Sequence, residues 1–106
     1  MAWIVLVVAG LLEVVWAFAM KQSEGFSRLW PSVITLVTMA MSFACLAWAM
    51  RSLPLGTAYT IWTGIGAVGA FIVGIAFLGE AMNATRILAA VLIVSGLVLM
   101  KLSSTA

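Results

Sequence analysis

Charged side chains are scarce in this sequence. They make up 8% of its 106 residues, five basic and three acidic, and histidine is absent. A soluble domain carries about 25% charged residues, so eight charges cannot build a surface that faces water. Because the charges are scattered singly along the chain, the sequence also excludes a nucleic-acid-binding patch and a polybasic membrane arm.

Cysteine is almost as rare, and Cys45 is its single instance. One cysteine cannot form a disulfide within the chain, and without histidine it has no companions for a metal site. The run 64–69 satisfies the G-x-G-x-x-G pattern, but it lies inside an apolar segment and not after a strand, so it does not indicate a dinucleotide site. Because Ser/His/Asp and Cys/His sets are missing as well, we expect neither an enzyme nor a bound metal or cofactor.

Hydrophobic residues, by contrast, make up 66% of the chain and are grouped into four apolar segments. A helix that spans a bilayer needs about 20 residues at a rise of ~1.5 Å each. Three segments have that length, and the shorter fourth is flanked by Arg86 and Lys101, whose side chains can reach the interface. We therefore predict an all-α membrane protein, a single domain over residues 1–106, with transmembrane helices at about 2–20, 32–50, 57–78 and 85–102.

The basic residues are nearly balanced between the two sides of the membrane. With four spans, one side carries two of them and the other side carries three: Arg51 and Lys101 against Lys21, Arg28 and Arg86. An excess of Lys and Arg is what fixes the orientation of a membrane protein. The balance is compatible with insertion in both orientations, or with a weak bias that still selects one.

Glu13 is the only formally charged residue deep inside any predicted span. A carboxylate near the bilayer centre costs ~2.5–3.5 kcal/mol on insertion scales, so such a residue indicates a function by default. The structural alternative is a protonated glutamate that serves as a hydrogen-bond donor in packing. A group that binds a proton in one state and a cation in another suits an exchanger.

Several small, hydroxyl-bearing and aromatic residues are expected near the depth of Glu13. Indole N–H groups inside the membrane need an acceptor, although simple packing remains possible for each tryptophan. A hydroxyl can instead bond back to its own helix. Glycines in the third span permit close helix packing or bending. The candidates are Gly10, Trp16, Ser42, Tyr59 and Trp62, with Gly64, Gly66 and Gly69 as packing or bending positions.

Three motifs resemble those of the small multidrug resistance family of bacterial exporters. They are EVVWA at 13–17, GFSRL at 25–29 followed by Pro31 and Ser32, and PLGTAYTIW at 54–62. The resemblance covers essentially the whole chain. It implies an antiparallel, dual-topology homodimer in the bacterial inner membrane, in which two Glu13 carboxylates form one shared site for protons and substrate. It also implies that the fourth helices hold the dimer together, through a face that Ala89, Ile93 and Gly96 can supply.

Within that family the sequence is similar to the guanidinium-exporter branch, chiefly through Trp16, where the branch that exports lipophilic cations has a small residue. Gly10 and Lys101 match the same branch. The similarity implies a hydrogen-bonded ring around the glutamate, made by Trp16, Ser42, Tyr59 and Trp62. One departure is Thr60, where this branch commonly has alanine; it could reshape the pocket and admit larger cations.

The expected function is a proton-coupled antiporter that exports guanidinium ion and small guanidinyl cations. A planar guanidinium can donate paired hydrogen bonds to a carboxylate, and its faces can stack on aromatic rings. The alternative is export of hydrophobic quaternary ammonium and other drug cations by the same mechanism. A rival of another class is a membrane subunit that transports nothing and uses Glu13 as an assembly contact.

Overall fold

The computed structural model describes residues 1–103, which form four α-helices joined by short connections. The helices are α1 (Ala2–Gln22), α2 (Leu29–Ala49), α3 (Leu55–Leu78) and α4 (Ala84–Ser103). Each is long and apolar enough to cross a membrane, and residues 1–103 contain no β-strand. The prediction of an all-α membrane protein with four transmembrane helices is therefore confirmed. The predicted domain runs to residue 106, and residues 104–106 lie outside the described part.

Two helices begin two or three residues earlier than the sequence predicts, and both of these differences involve a proline. α2 starts at Leu29 rather than at residue 32, so that Pro31 lies within its first turn. α3 starts at Leu55 rather than at residue 57, and Pro54 is its N-cap. Proline is tolerated in a first turn because the N–H that it lacks would have no acceptor within the helix.

The first connection is a tight turn held by Ser23. The buried Ser23 hydroxyl donates to the carbonyl oxygen of Met20 at 2.6 Å and accepts the backbone N–H of Phe26 at 3.0 Å. The turn carries Arg28 back to the end of α1, where its Nη1 donates to the carbonyl oxygen of Gln22 at 3.4 Å. The start of α2 is thereby fixed beside the end of α1.

The helices are arranged around α1, which packs against both α2 and α3 and keeps those two helices largely apart. The backbone of α4 approaches only that of α3. None of residues 84–103 is buried, so that most of the α4 surface has no protein neighbour within the protomer. Lys101 tethers the end of α4 to the start of α1, because its Nζ lies 4.4 Å from the centre of the Trp3 ring.

The core lies toward the end of the bundle where α1 and α3 begin and α2 ends. Small residues allow the three backbones to approach closely there, which is the main source of helix association inside lipid. The buried cluster comprises Leu6, Ala9, Leu46, Ala49, Leu53, Ala58, Ile61 and Trp62.

Candidate functional site

Ser42 joins three helices through one hydroxyl group. The side chain is fully buried, donates to the carbonyl oxygen of Ala9 in α1 at 2.7 Å, and accepts the indole N–H of Trp62 in α3 at 3.0 Å. It does not bond back to its own helix, which was the structural alternative. Because buried polar groups without partners are costly, these two bonds fix the register of α1, α2 and α3 at this depth.

Glu13 lies one helical turn beyond Ala9 on α1. The atom Oε1 is buried and has no hydrogen-bond partner within residues 1–103. Within the described residues, neither a basic side chain nor a hydroxyl pairs with this oxygen, although buried side-chain oxygens are nearly always paired. The protomer therefore places a free acceptor, bearing one negative charge when ionised, inside the membrane.

Trp16 carries the complementary unpaired group, a hydrogen-bond donor. Its Nε1 is buried and donates to no acceptor in the described part of the chain. Its ring packs edge-on against Phe43, with the ring centroids 6.3 Å apart and the planes at 73°. A free indole donor and a free carboxylate acceptor thus lie one turn apart on α1. Two unpaired buried groups so close together indicate a place where a further molecule or chain makes bonds.

The aromatic rings form a continuous row from Trp16 to Tyr59. Phe43 lies between the two tryptophans, 5.7 Å from the centroid of Trp62, and the Trp62 ring in turn is 5.5 Å from that of Tyr59. Tyr59 is 52% exposed, so its hydroxyl can reach a partner outside the protomer. The family resemblance implies a network of hydrogen bonds among Trp16, Ser42, Tyr59 and Trp62. Of these bonds, the one from Trp62 to Ser42 is present in the protomer.

Sequence reasoning does not single out Phe43, although it bridges the two tryptophans. An apolar phenylalanine in an apolar helix looks the same whether it faces lipid or a site. The one available signal is its position directly after Ser42 in a span that also carries a row of hydroxyl groups. A backbone acceptor such as the Ala9 carbonyl carries no residue-type signal at all.

Glycines bring α3 close to α1 beside the carboxylate. A Cβ atom at Gly66 would overlap the Glu13 carboxylate, and a Cβ atom at Gly69 would overlap the side chain of Val14. At the present distance between the helices, a larger residue at either position would displace the facing side chain. They serve close packing beside Glu13.

Two other predicted glycines are also packing positions. A Cβ atom at Gly10 would lie 2.6 Å from Cγ2 of Ile65, so Gly10 belongs to the same contact between α1 and α3. Gly64 faces the other way, and its added Cβ would overlap the Leu97 side chain of α4. Gly64 therefore positions α4 rather than the carboxylate.

Thr60 lies on the side of α3 that faces α4. It is exposed and lines a groove of about 460 Å³ between α3 and α4, together with Tyr59, Thr63 and Gly96. Within one protomer, Thr60 is therefore directed toward α4 and Gly66 toward Glu13. Tyr59 belongs to the row of aromatic rings, whereas the neighbouring Thr60 is not part of that row.

The three residues predicted for the dimer face all remain exposed on α4. Ala89 and Ile93 line a small groove against α3, and Gly96 has no atom within 4 Å of its Cβ position. This face is small and apolar, and it stands open to the outside of the protomer. Such surfaces suit close approach of another helix in lipid.

The fold and the site define a class: a small multi-pass membrane protein with an ionisable group inside the membrane, an arrangement typical of transporters. The family profile described as Small Multidrug Resistance protein matches residues 1–94, and the chain belongs to that family. The predicted family is therefore confirmed. Four spans and this family make the chain a multi-pass protein of the bacterial inner membrane.

Relatives with assigned roles are similar over nearly the whole length. The Guanidinium exporter of Escherichia coli strain K12 is 62% identical over 104 residues, which cover 98% of this chain and 99% of the relative. The Guanidinium exporter of Yersinia pestis is also 62% identical, covering 98% of this chain and 100% of the relative. That of Citrobacter freundii is 59% identical, with coverage of 98% and 99%.

Proposed function

We propose that the protein exports guanidinium ion and small guanidinyl cations across the inner membrane in exchange for protons. The observation that carries the proposal is the buried Glu13 oxygen that has no hydrogen-bond partner within residues 1–103. The names of the relatives support the same substrate. We further propose that the protein is a transporter and not an enzyme.

The substrate fits the chemistry of the site. A guanidinium ion is planar and can donate two parallel hydrogen bonds to one carboxylate. Its faces can stack on indole or phenol rings, and such rings flank the site at Trp16, Tyr59 and Trp62. The bond from Trp62 to Ser42 holds that indole in one orientation, so its face is set in place before the cation arrives.

Coupling to protons follows from competition for one group. A protonated Glu13 cannot accept a guanidinium ion, and a carboxylate that is paired with guanidinium cannot take up a proton. If only the two loaded forms cross between the membrane sides, an inward proton gradient drives the cation outward. In a dimer that brings two Glu13 carboxylates to one site, two protons exchange for one cation, so each cycle moves one net positive charge.

We propose that the working unit is an antiparallel homodimer of two oppositely inserted chains. The exposed α4 face with Ala89, Ile93 and Gly96 supports a helix partner, and the near balance of basic residues supports insertion in both orientations. Two opposite copies of one chain would act as the inverted repeats of larger transporters do. The two Glu13 carboxylates would then share one site.

Export of bulky quaternary ammonium cations is the alternative within the same family. Trp16 argues against it, because its bulky ring lies one helical turn from Glu13 and packs on Phe43. A third possibility is a subunit that transports nothing, in which the unpaired carboxylate oxygen serves only as an assembly contact. Glu13→Gln separates the two transport functions from the third: it abolishes transport in the first two and leaves the function of a non-transporting subunit intact.

The test uses purified protein in liposomes on an electrode that records charge movement. We expect currents with guanidinium, much smaller currents with tetrapropylammonium, and none with either cation in Glu13→Gln. Currents that are larger with tetrapropylammonium would favour the alternative. The absence of current with both cations in the native protein, while Glu13→Gln still assembles normally, would favour the subunit.

A further inference from the structure

A groove of about 730 Å³ runs along the outer surface of α1. α1 forms its floor, and the first turns of α2 and the last turns of α3 form its walls. Its lining comprises Val14, Val15, Phe18, Ala19, Gln22, Arg28, Pro31, Ile34, Val73 and Phe77. The groove exists because α1 keeps α2 and α3 apart at this end of the bundle.

This groove is separate from the Glu13 site. Successive residues of an α-helix are turned by about 100°, so Val15 and Phe18 point roughly 140–160° away from Glu13. Val15 is 43% exposed on that outer side. The groove therefore opens away from the carboxylate, to the surroundings of the transmembrane helices, which are lipid.

Polarity is concentrated at one end of the groove. Its two polar lining residues, Gln22 and Arg28, lie where α1 ends and α2 begins, and every other lining residue is apolar. Arg28 is exposed, and no ion pair joins it to another residue in the described chain. Its hydrogen bond to the Gln22 carbonyl directs the guanidinium to the rim of the groove while leaving donors free.

The length of the groove matches one leaflet of a bilayer. From Gln22 to Val14 the floor covers eight residue steps, or about 12 Å at the helical rise. The hydrocarbon core of a bilayer is ~30 Å thick, so each leaflet contributes about 15 Å. The groove thus runs from the interface, where Arg28 lies, nearly to the midplane, which Val14 approaches near the centre of α1.

We propose that this groove binds an anionic phospholipid. One acyl chain lies between Ile34 and Phe77 over the floor of α1, and Arg28 bonds the phosphate at the rim. A guanidinium binds phosphate through paired hydrogen bonds. The N-terminus of α2 lies beside it without a side-chain cap, so that its free amide N–H groups add to the attraction for an anion.

The net charge around the connection between α1 and α2 favours an anionic over a zwitterionic headgroup. Lys21, Glu24 and Arg28 are all exposed there and sum to one positive charge. A zwitterionic headgroup would bring its own ammonium group against Arg28. The proposal does not depend on the transport function, since the groove and the Glu13 site lie on different sides of α1.

The test measures lipid binding by native mass spectrometry of the full-length protein released from detergent micelles. Phosphatidylglycerol is added to the native protein and to Arg28→Gln, with Arg51→Gln as the matched control, because Arg51 is an exposed arginine in the second connection. We expect Arg28→Gln to bind phosphatidylglycerol about tenfold more weakly, as loss of a charge-assisted bond implies. Arg51→Gln should bind it as the native protein does.

A second pair of variants tests the apolar part of the site. Val15→Trp fills the groove, whereas Val8→Trp places the same ring two turns away on the same face; both valines are 43% exposed. We expect only Val15→Trp to lose phosphatidylglycerol, and phosphatidylcholine to bind the native protein more weakly. These lipid-facing changes do not enter the buried core, so they keep the test valid even if Arg28→Gln folds poorly.

Three results would overturn the proposal. One is equal binding of phosphatidylglycerol to all four variants. The second is equal retention of phosphatidylcholine and phosphatidylglycerol by the native protein. The third is displacement of the lipid by inorganic phosphate at equal concentration with no effect of Val15→Trp, which would reduce the site to one for free phosphate.

Discussion

The Glu13 carboxylate rests directly on the backbone of Gly66. The contact is so close that even a methyl group at position 66 would overlap the carboxylate oxygen. At this point of the contact between α1 and α3, the carboxylate therefore leaves no room for a side chain at position 66. Any side chain at position 66 must push either the helix or the carboxylate away.

Gly66→Ala should weaken guanidinium binding while the protein still inserts into the membrane. The added methyl displaces the carboxylate from its position beside the aromatic rings. Gly56→Ala is the matched control, because nothing lies within 4 Å of its Cβ position in the first turn of α3. The measurement is the guanidinium dissociation constant of each purified variant. Equal constants for the two variants would show that Glu13 has room to move without loss.

Guanidinium affinity should fall as the pH is lowered through the titration of Glu13. The sign follows from the chemistry: protonation removes the anion that pairs with the cation. The measurement is calorimetric titration of guanidinium between about pH 5 and about pH 8, near the working pH at which an exchanging group must titrate. A constant affinity over that range would contradict competition at Glu13. Glu13→Gln, which cannot ionise, should show neither binding nor exchange.

Trp16→Gly should reduce guanidinium transport and admit some bulky aromatic cations, because it removes both the ring beside Glu13 and its N–H donor. A hydrogen bond to a charged group is worth about 1.5–3 kcal/mol, so guanidinium affinity should fall about tenfold or more. Trp16→Phe is the control that keeps most of the volume and removes the donor. If Trp16→Phe loses as much as Trp16→Gly, the donor matters more than the volume. Normal transport by both variants would reduce Trp16 to a packing residue.

The bond between Ser42 and Trp62 should appear as coupling between two substitutions. Ser42→Ala leaves the Trp62 N–H without its acceptor, and Trp62→Phe removes the donor, so the double variant should lose less stability than the sum of the single ones. Interhelical bonds in membranes couple by about 0.6 kcal/mol on average and by ~1.7 kcal/mol at most. Unfolding in mixed micelles provides the free energies. Ser95→Ala is the control, because the Ser95 hydroxyl bonds only to the Val91 carbonyl of its own helix at 2.8 Å.

Both orientations of the chain should coexist in intact cells. Cysteines engineered into each connection, in a Cys45→Ala background, should be labelled partly from one side and partly from the other. Two or three lysines added beside Arg51 should bias insertion and lower the activity of that variant expressed alone. Activity should return when a copy with the opposite bias is supplied. Labelling of every connection from one side only would rule out the antiparallel dimer.

The helices are predictable from the sequence because lipid imposes a minimum apolar length on each span. Their ends are less predictable, since Pro31 suggests a boundary but is equally compatible with a first helical turn. Glu13 stands out by its charge alone. The Ser42 bond to the Ala9 carbonyl does not, because every residue carries a backbone carbonyl and only the fold selects one.

The isolation of α4 has a consequence for how the protein behaves when it is diluted. Lipid tails cover the exposed α4 face about as well as another apolar helix does, so no hydrophobic effect drives two chains together within the bilayer. Pairing of chains through this face is then governed by mass action in two dimensions, with the protein-to-lipid ratio in the place of a molar concentration. Thermal stability measured at one reconstitution density should therefore not be transferable to another.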